Sequence, residues 1–175
     1  MPPESPEHAT LDSIDPLTAA VPAAALVAAL KTAGQTVATA ESLTAGLLAA
    51  TIAGIPGASA VLRGGLIVYA TDLKQALAGV SADTLAADGP VAATTAEQLA
   101  VGARTRCGAD WGIGLTGVAG PEPQDGRPVG TVFLGVAGSD NTEVVRLNLS
   151  GDRWTIRVGA VRAAVTELTR SLRGG

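Results

Sequence analysis

Ser59, Tyr69 and Lys74 are the residues of this chain whose types and spacing best suit covalent chemistry. Tyr69 is the only tyrosine, and Lys74 is one of two lysines among twelve basic residues. A chain that writes nearly all of its positive charge as arginine, yet places lysine here, has a use for an amine that can lose its proton. Arginine cannot do so, whereas a desolvated lysine can. A serine hydroxyl, a phenol and an uncharged amine held together would form a nucleophile with its base. The alternative for Lys74 is an ordinary solvated helix residue. For Ser59, in Pro56-Gly57-Ala58-Ser59, the alternative is a turn serine with no further role.

Other chemistries lack their residues. The single histidine, His8, lies in the first few positions, and the single cysteine is Cys107. A Ser-His-Asp triad, a Cys-His pair or a His-ligated zinc site would each have to recruit from the extreme N-terminus. Cys107 reads as a small semi-buried residue, and no metal site is expected. Aromatic residues make up 2% of the chain and the net charge is −4. A base-stacking platform or a basic footprint is therefore not expected, and nucleic acid is excluded as a partner. A small anionic ligand held by a few local arginines stays compatible with this charge. The N-terminus has neither a basic nor an apolar leader segment, and no apolar run reaches membrane-spanning length. The expectation is a cytoplasmic protein with no membrane partner, a disordered tail over residues 1–15, and one folded domain over 16–175.

The elements that must position these residues alternate. An alanine-rich amphipathic helix is predicted over 16–33, closed by Gly34, and a short strand over 35–40. A helix follows over 44–53, a buried strand over 61–69, and a short helix over 72–78 with Lys74 in its first turn. A further helical turn is predicted near 81–87, a helix over 94–106 and a strand over 111–116. A hairpin is predicted over 129–137 and 143–149. Asp152 N-caps a last helix that runs to about 172. Alternating helices and strands followed by a hairpin give a single α/β domain, a three-layer α/β/α sandwich with a mixed sheet. Lys74 is expected to fold back toward the Ser59 turn.

Several motifs admit two readings. Glu41-Ser42-Leu43-Thr44-Ala45-Gly46 joins a strand to a helix. It is either a cap or an anion pocket lined by free helix-start amides, and it can be both. Ser150-Gly151-Asp152-Arg153 is either a capped helix start or a phosphate clamp with Arg153 beside free amides. Gly112-Ile113-Gly114-Leu115-Thr116-Gly117 has the spacing of a dinucleotide fingerprint. Its glycines, however, lie within a strand, and Pro121 and Pro123 follow where a helix should start, so a nicotinamide-dinucleotide site is rejected.

Taken together, these segments resemble the C-terminal domain family of competence/damage-inducible protein A (CinA). The resemblance runs from about residue 16 to residue 172. It rests on Ala40-Glu41-Ser42-x-Thr44-x-Gly46, Pro56-Gly57-x-Ser59, Gly65-x-x-x-Tyr69-x-x-x-x-Lys74, Thr116-Gly117-x-Ala119-Gly120-Pro121, Pro128-Val129-Gly130-Thr131-Val132 and Gly151-Asp152-Arg153. That family includes bacterial nicotinamide mononucleotide amidohydrolases. The resemblance implies Ser59 as nucleophile, Lys74 as base, and Tyr69 and Ser42 as supporting groups. Thr44, Gly46, Gly65, Thr116, Gly117 and Arg153 then bind substrate. It implies deamidation of nicotinamide mononucleotide to nicotinate mononucleotide and ammonia, with no cofactor. A pyridine nucleotide is then the small-molecule partner, and a homodimer is the expected assembly. Leu43 stands where the family has cysteine, Ala45 where it has glycine, and Ala70-Thr71 where it has Ser-Asn. Each departure could reshape the pocket. A non-catalytic nucleotide-binding module on the same fold is the alternative, and ammonia release separates the two.

Overall fold

The computed structural model describes residues 15–174. The tail expected over 1–15 therefore lies outside the described residues except for Asp15. The Asp15 carboxylate accepts from the Leu17 amide and caps α1 (Pro16–Ala20). α2 (Ala23–Ala33) follows and ends on Gly34 at φ 64°. One helix over 16–33 was expected. Val21 is extended instead, because the ring of Pro22 disfavours helical backbone in the residue before it.

A five-stranded sheet has the order β2-β1-β3-β4-β5. β1 (Val37–Glu41), β2 (Leu62–Ile67) and β3 (Trp111–Gly117) run parallel. β4 (Thr131–Ala137) and β5 (Thr142–Asn148) form the expected hairpin, antiparallel to β3. The expected three-layer α/β/α sandwich with a mixed sheet is therefore the fold. The remaining helices are α3 (Leu47–Ala53), α4 (Thr71–Ala78), α5 (Ala82–Ala87), α6 (Ala93–Cys107) and α7 (Arg153–Gly174).

Alternate residues of each strand feed different layers. Val37, Ile113, Leu115, Val132, Leu134 and Val136 pack with Leu26, Leu30, Leu48, Ile156 and Leu168 on the α2, α3 and α7 side. Ala38 and Ala40 pack with Val80, Leu99 and Ala103 on the α4 and α6 side. That second face is built of small residues so that α6 can lie close to the sheet. A Cβ at Gly114 would stand 2.3 Å from the Ala96 carbonyl, and one at Gly112 would stand 2.0 Å from the Ala100 carbonyl. The fingerprint-like glycines therefore serve helix–sheet packing, in keeping with the rejection of a dinucleotide site.

The connection from β1 to β2 runs through α3 on one face. The connection from β2 to β3 passes over β1 through α4, α5 and α6 on the other. The connections that leave the carboxyl ends of the neighbouring strands β1 and β2 thus go to opposite faces of the sheet. In open α/β sheets such a crevice is where ligands bind.

Candidate active site

Three strands deliver side chains to that crevice. Ser42 follows β1, Tyr69 and Lys74 follow β2, and Thr116 and Gly117 end β3. A cavity of about 120 Å³ opens there, walled by these residues together with Leu43, Thr71, the Pro90-Val91 segment and the loop from Val118 to Gln124, with Arg153 at its rim.

Lys74 is the centre of the arrangement. It is 2% exposed and is among the largest fully buried side chains. Its Nζ lies 3.2 Å from Ser42 Oγ, 2.9 Å from the Val68 carbonyl and 3.3 Å from the Tyr69 carbonyl. Burial pushes its pKa below the ordinary lysine range, against the opposing pull of the Asp72 carboxylate. The number of neighbours defines what the amine can do. As an ammonium it donates to all three oxygens. As a neutral amine it has two N–H groups, which the two carbonyls accept, and its lone pair then faces the one neighbour that can donate, the Ser42 hydroxyl. In its neutral form, this geometry can take a proton from the Ser42 hydroxyl.

Ser59 is not part of it. It lies in a 3-10 turn, Ala58–Ala60, directly ahead of β2, whereas Lys74 lies beyond the far end of that strand. Six strand residues at about 3.3 Å each put roughly 20 Å between them. Ser59 is exposed and does not line the cavity. The expected fold-back of Lys74 toward Ser59 does not occur within the chain. The hydroxyl beside the amine belongs to Ser42, the residue assigned only a supporting role.

The turn after β1 also differs from expectation. The helix starts at Leu47 and not at Thr44, because Ala45 (φ 48°) and Gly46 (φ 92°) take left-handed backbone. The amides of the α3 start are not free for an external anion. The buried Glu41 carboxylate accepts from the amides of Gly46, Leu48 and Ala49 and from the Thr39 hydroxyl. The segment is a cap, supplied by Glu41 and not by Ser42 or Thr44. Gly46 and Gly65, expected to bind substrate, do not line the cavity and are held close to their neighbours. A Cβ on Gly46 would meet Ile67 at 3.2 Å, and one on Gly65 would meet the Thr39 hydroxyl at 2.8 Å. Thr44 is fully buried and does not line the cavity.

Thr116, Gly117, Tyr69 and Arg153 do line it. The Thr116 hydroxyl donates to the Pro90 carbonyl at 2.6 Å and so holds one wall in place. Arg153 is exposed, and it donates to the Gly120 carbonyl and to the Tyr69 hydroxyl, both at 2.8 Å. It therefore bridges two walls of its own chain's pocket. Asp152 caps α7 as expected, accepting from the Thr155 amide.

Two residues that hold the turn after β1 were not singled out from sequence. Glu41 carried a signal, a carboxylate ending an apolar strand just before a helix start. Arg157 is the other: its Nε donates to the Leu43 carbonyl at 3.0 Å and its Nη2 to the Thr44 carbonyl at 2.8 Å. Its signal was its place four residues after Arg153, on the same helix face.

A sequence model of the CinA C-terminal domain matches residues 20–172. This chain belongs to that family. A CinA-like protein of Frankia casuarinae is 48% identical over 139 residues, which cover 79% of this chain and 32% of that protein. The chain spans about a third of the length of the curated relatives it matches. Among solved structures, a CinA superfamily protein from Klebsiella pneumoniae superposes with a TM-score of 0.87 at 30% identity, covering 92% of this chain and all of that one. The competence/damage-inducible protein CihA from Agrobacterium tumefaciens gives 0.85 at 33% identity, covering 93% and 99%. The CinA fold and the family membership inferred from the motifs are thereby shown. Among the described residues no helix is long and apolar enough to cross a membrane.

Proposed function

We propose that this domain is an amidohydrolase that works through Ser42 and Lys74, and that its substrate is nicotinamide mononucleotide. The observation that carries the reading is the buried amine whose two carbonyl neighbours leave its lone pair to one serine hydroxyl. Neutral Lys74 takes the Ser42 proton as Oγ bonds to the carboxamide carbon. The resulting ammonium protonates the amide nitrogen, the C–N bond breaks and ammonia leaves. Water then attacks the acyl ester, giving its proton to Lys74, and the acid departs as Oγ regains a proton. No other titratable side chain is needed, which suits a chain whose only histidine is His8.

The substrate assignment comes from the family resemblance and from the pocket's proportions. A cavity of about 120 Å³ takes a flat carboxamide-bearing ring and leaves ribose and phosphate at the rim. At that rim, Arg153 uses two of its five N–H donors internally and has others to offer an anion. Tyr69, 55% exposed, offers a face beside it.

The decisive experiment measures ammonia release from nicotinamide mononucleotide by the wild type and by Ser42→Ala, Lys74→Met and Ser59→Ala. Loss in the first two with retention in the third is the expected pattern. An inactive Ser59→Ala beside an active Ser42→Ala would return the nucleophile to Ser59. Calorimetric binding without turnover by the wild type would make the domain a nucleotide-binding module.

A further inference from the structure

The turn after Ser42 carries an unusual arrangement of amides. Ser42 N donates to Leu115 O, Ala45 N to Ser42 O and Leu47 N to Thr44 O, and Gly46 N is taken by Glu41. Between them, the amides of Leu43 and Thr44 find no acceptor among the described residues. Leu43 is 3% exposed and Thr44 is fully buried, and the Thr44 hydroxyl is likewise without a partner. A buried backbone donor left unpaired is costly, and the great majority are paired. Here two in succession follow the proposed nucleophile, at Leu43, which lines the cavity, and at Thr44 directly behind it; a tetrahedral oxyanion needs such donors. In the nucleophile elbow of other hydrolases, the amide that follows the serine does this work.

The second of these amides is aimed from outside the turn. In a trans peptide, the carbonyl of one residue and the N–H of the next point in opposite directions. Arg157 holds the Leu43 carbonyl with Nε, which fixes the plane of the Leu43–Thr44 peptide and turns the Thr44 N–H away from α7. Its Nη2 holds the next carbonyl, that of Thr44. The planar fork of arginine grips the two successive carbonyls in one fixed geometry, which a freely rotating ammonium does not impose. The turn needs such a brace, because Ala45 sits at φ 48°, where a side chain is disfavoured.

We propose that Arg157 is a positioning residue for the Ser42–Lys74 reaction, fixing the peptide whose free Thr44 amide lies next to the cavity-lining Leu43, so that it meets the developing oxyanion. The inference rests on the proposed Ser42 chemistry but not on the identity of the natural substrate. It touches neither the amine nor the substrate rim. Its removal therefore predicts a loss in kcat of about 10- to 100-fold with KM within about threefold, since an oxyanion contact forms only in the transition state.

The test uses the whole chain and an alkyl fluorophosphonate, followed by intact mass, alongside ammonia release from nicotinamide mononucleotide. In labelling, Ser42 Oγ bonds to phosphorus, fluoride leaves, and the hydroxyl proton passes to Lys74. Arg157→Gln is expected to slow labelling at least tenfold with an unchanged pH midpoint. Arg157→Lys, which keeps the charge and N–H donors but not the rigid fork, should regain part of the rate. Methylguanidinium added to Arg157→Ala should regain part of it as well. Wild-type labelling without ammonia release would discard the substrate and keep the role of Arg157. Labelling of a folded Arg157→Gln or Arg157→Lys at the wild-type rate would overturn that role. A wild type that neither labels at Ser42 nor releases ammonia would remove the nucleophile and the brace together.

Discussion

The chain has two serine-bearing turns, one after β1 and one before β2, and they lie at opposite ends of the sheet. Both contain a serine, a residue at positive φ and small neighbours. At the carboxyl end, Ser42 is nine-tenths buried, faces a buried amine and is braced by a carboxylate on one side and a guanidinium on the other. At the amino end, Ser59 is exposed, Gly57 takes φ 87°, and the nearest side chain to a Cβ there would be Lys31. What separates the proposed nucleophile from a turn serine here is the direction of the strand beside it. Parallel β1 and β2 carry everything that follows them to one end and everything that precedes them to the other.

The largest test of that contrast is to remove each hydroxyl. Ser42→Ala should lower kcat for ammonia release by about 10³-fold or more, and Ser59→Ala should stay within about twofold. Comparable losses from both would erase the distinction between the two ends.

Lys74→Met should cost about 10²–10⁴ in rate, and it carries a pH signature. The pKa of Lys74 is lowered in the folded state, so the unfolded chain binds more protons between that lowered value and the ordinary lysine value. Folding stability should then rise with pH through this window, and the penalty for burying the ammonium is felt below it. Melting temperatures followed upward from neutral pH should show this slope in the wild type and not in Lys74→Met. The kcat of the wild type should climb with pH as the amine loses its proton. A rate independent of pH across this range would sink the neutral-base scheme.

The middle of the sheet, which holds the two ends apart, is more sensitive in stability than either turn. Gly114→Ala would drive a methyl group into the Ala96 and Ala100 backbone of α6. It should destabilise by about 3 kcal/mol, a fall of roughly 6–12 °C in Tm, measurable by calorimetry.

The smallest effects return to the two turns, with opposite signs. Ala45→Gly relieves a side chain at φ 48° and should stabilise by about 0.5 kcal/mol, since the relief outweighs the added freedom of the unfolded chain. Gly57→Ala imposes the same strain at φ 87° and should destabilise by about 1 kcal/mol. Denaturant melts of both variants would show whether the turn after β1 tolerates strain because Glu41 and Arg157 restrain it. If Ala45→Gly stabilises but also slows turnover, the strained turn itself serves the chemistry.

Much of the fold was legible because local signals and tertiary placement agree. Gly34 and Asp152 cap the helices they were expected to cap, and the hairpin falls over the predicted turn. The break at Val21 was missed because alanine periodicity outweighed Pro22 in the reading. The site was half legible. Lys74 stood out by rarity, and Tyr69, Thr116, Gly117 and Arg153 line the cavity as the family motifs implied. The choice between Ser42 and Ser59 was not legible from spacing alone. Ser59 is nearer to Lys74 in sequence, but an extended strand turns that short interval into distance. Ser42 reaches the amine only because β1 lies beside β2 in register, Glu41 opposite Ile67. Arg157 reaches its carbonyls across more than a hundred residues, and no local pattern encodes such a contact.

Tyr69 has its two ends in different parts of the cleft. Its main-chain oxygen seats the Lys74 amine, and its phenol is tied through Arg153 to the carbonyl of Gly120. On the proposed chemistry, a ligand broad enough to part phenol from guanidinium would act on the same residue whose carbonyl seats the base. Entrance and floor would then share one residue, with no moving lid required.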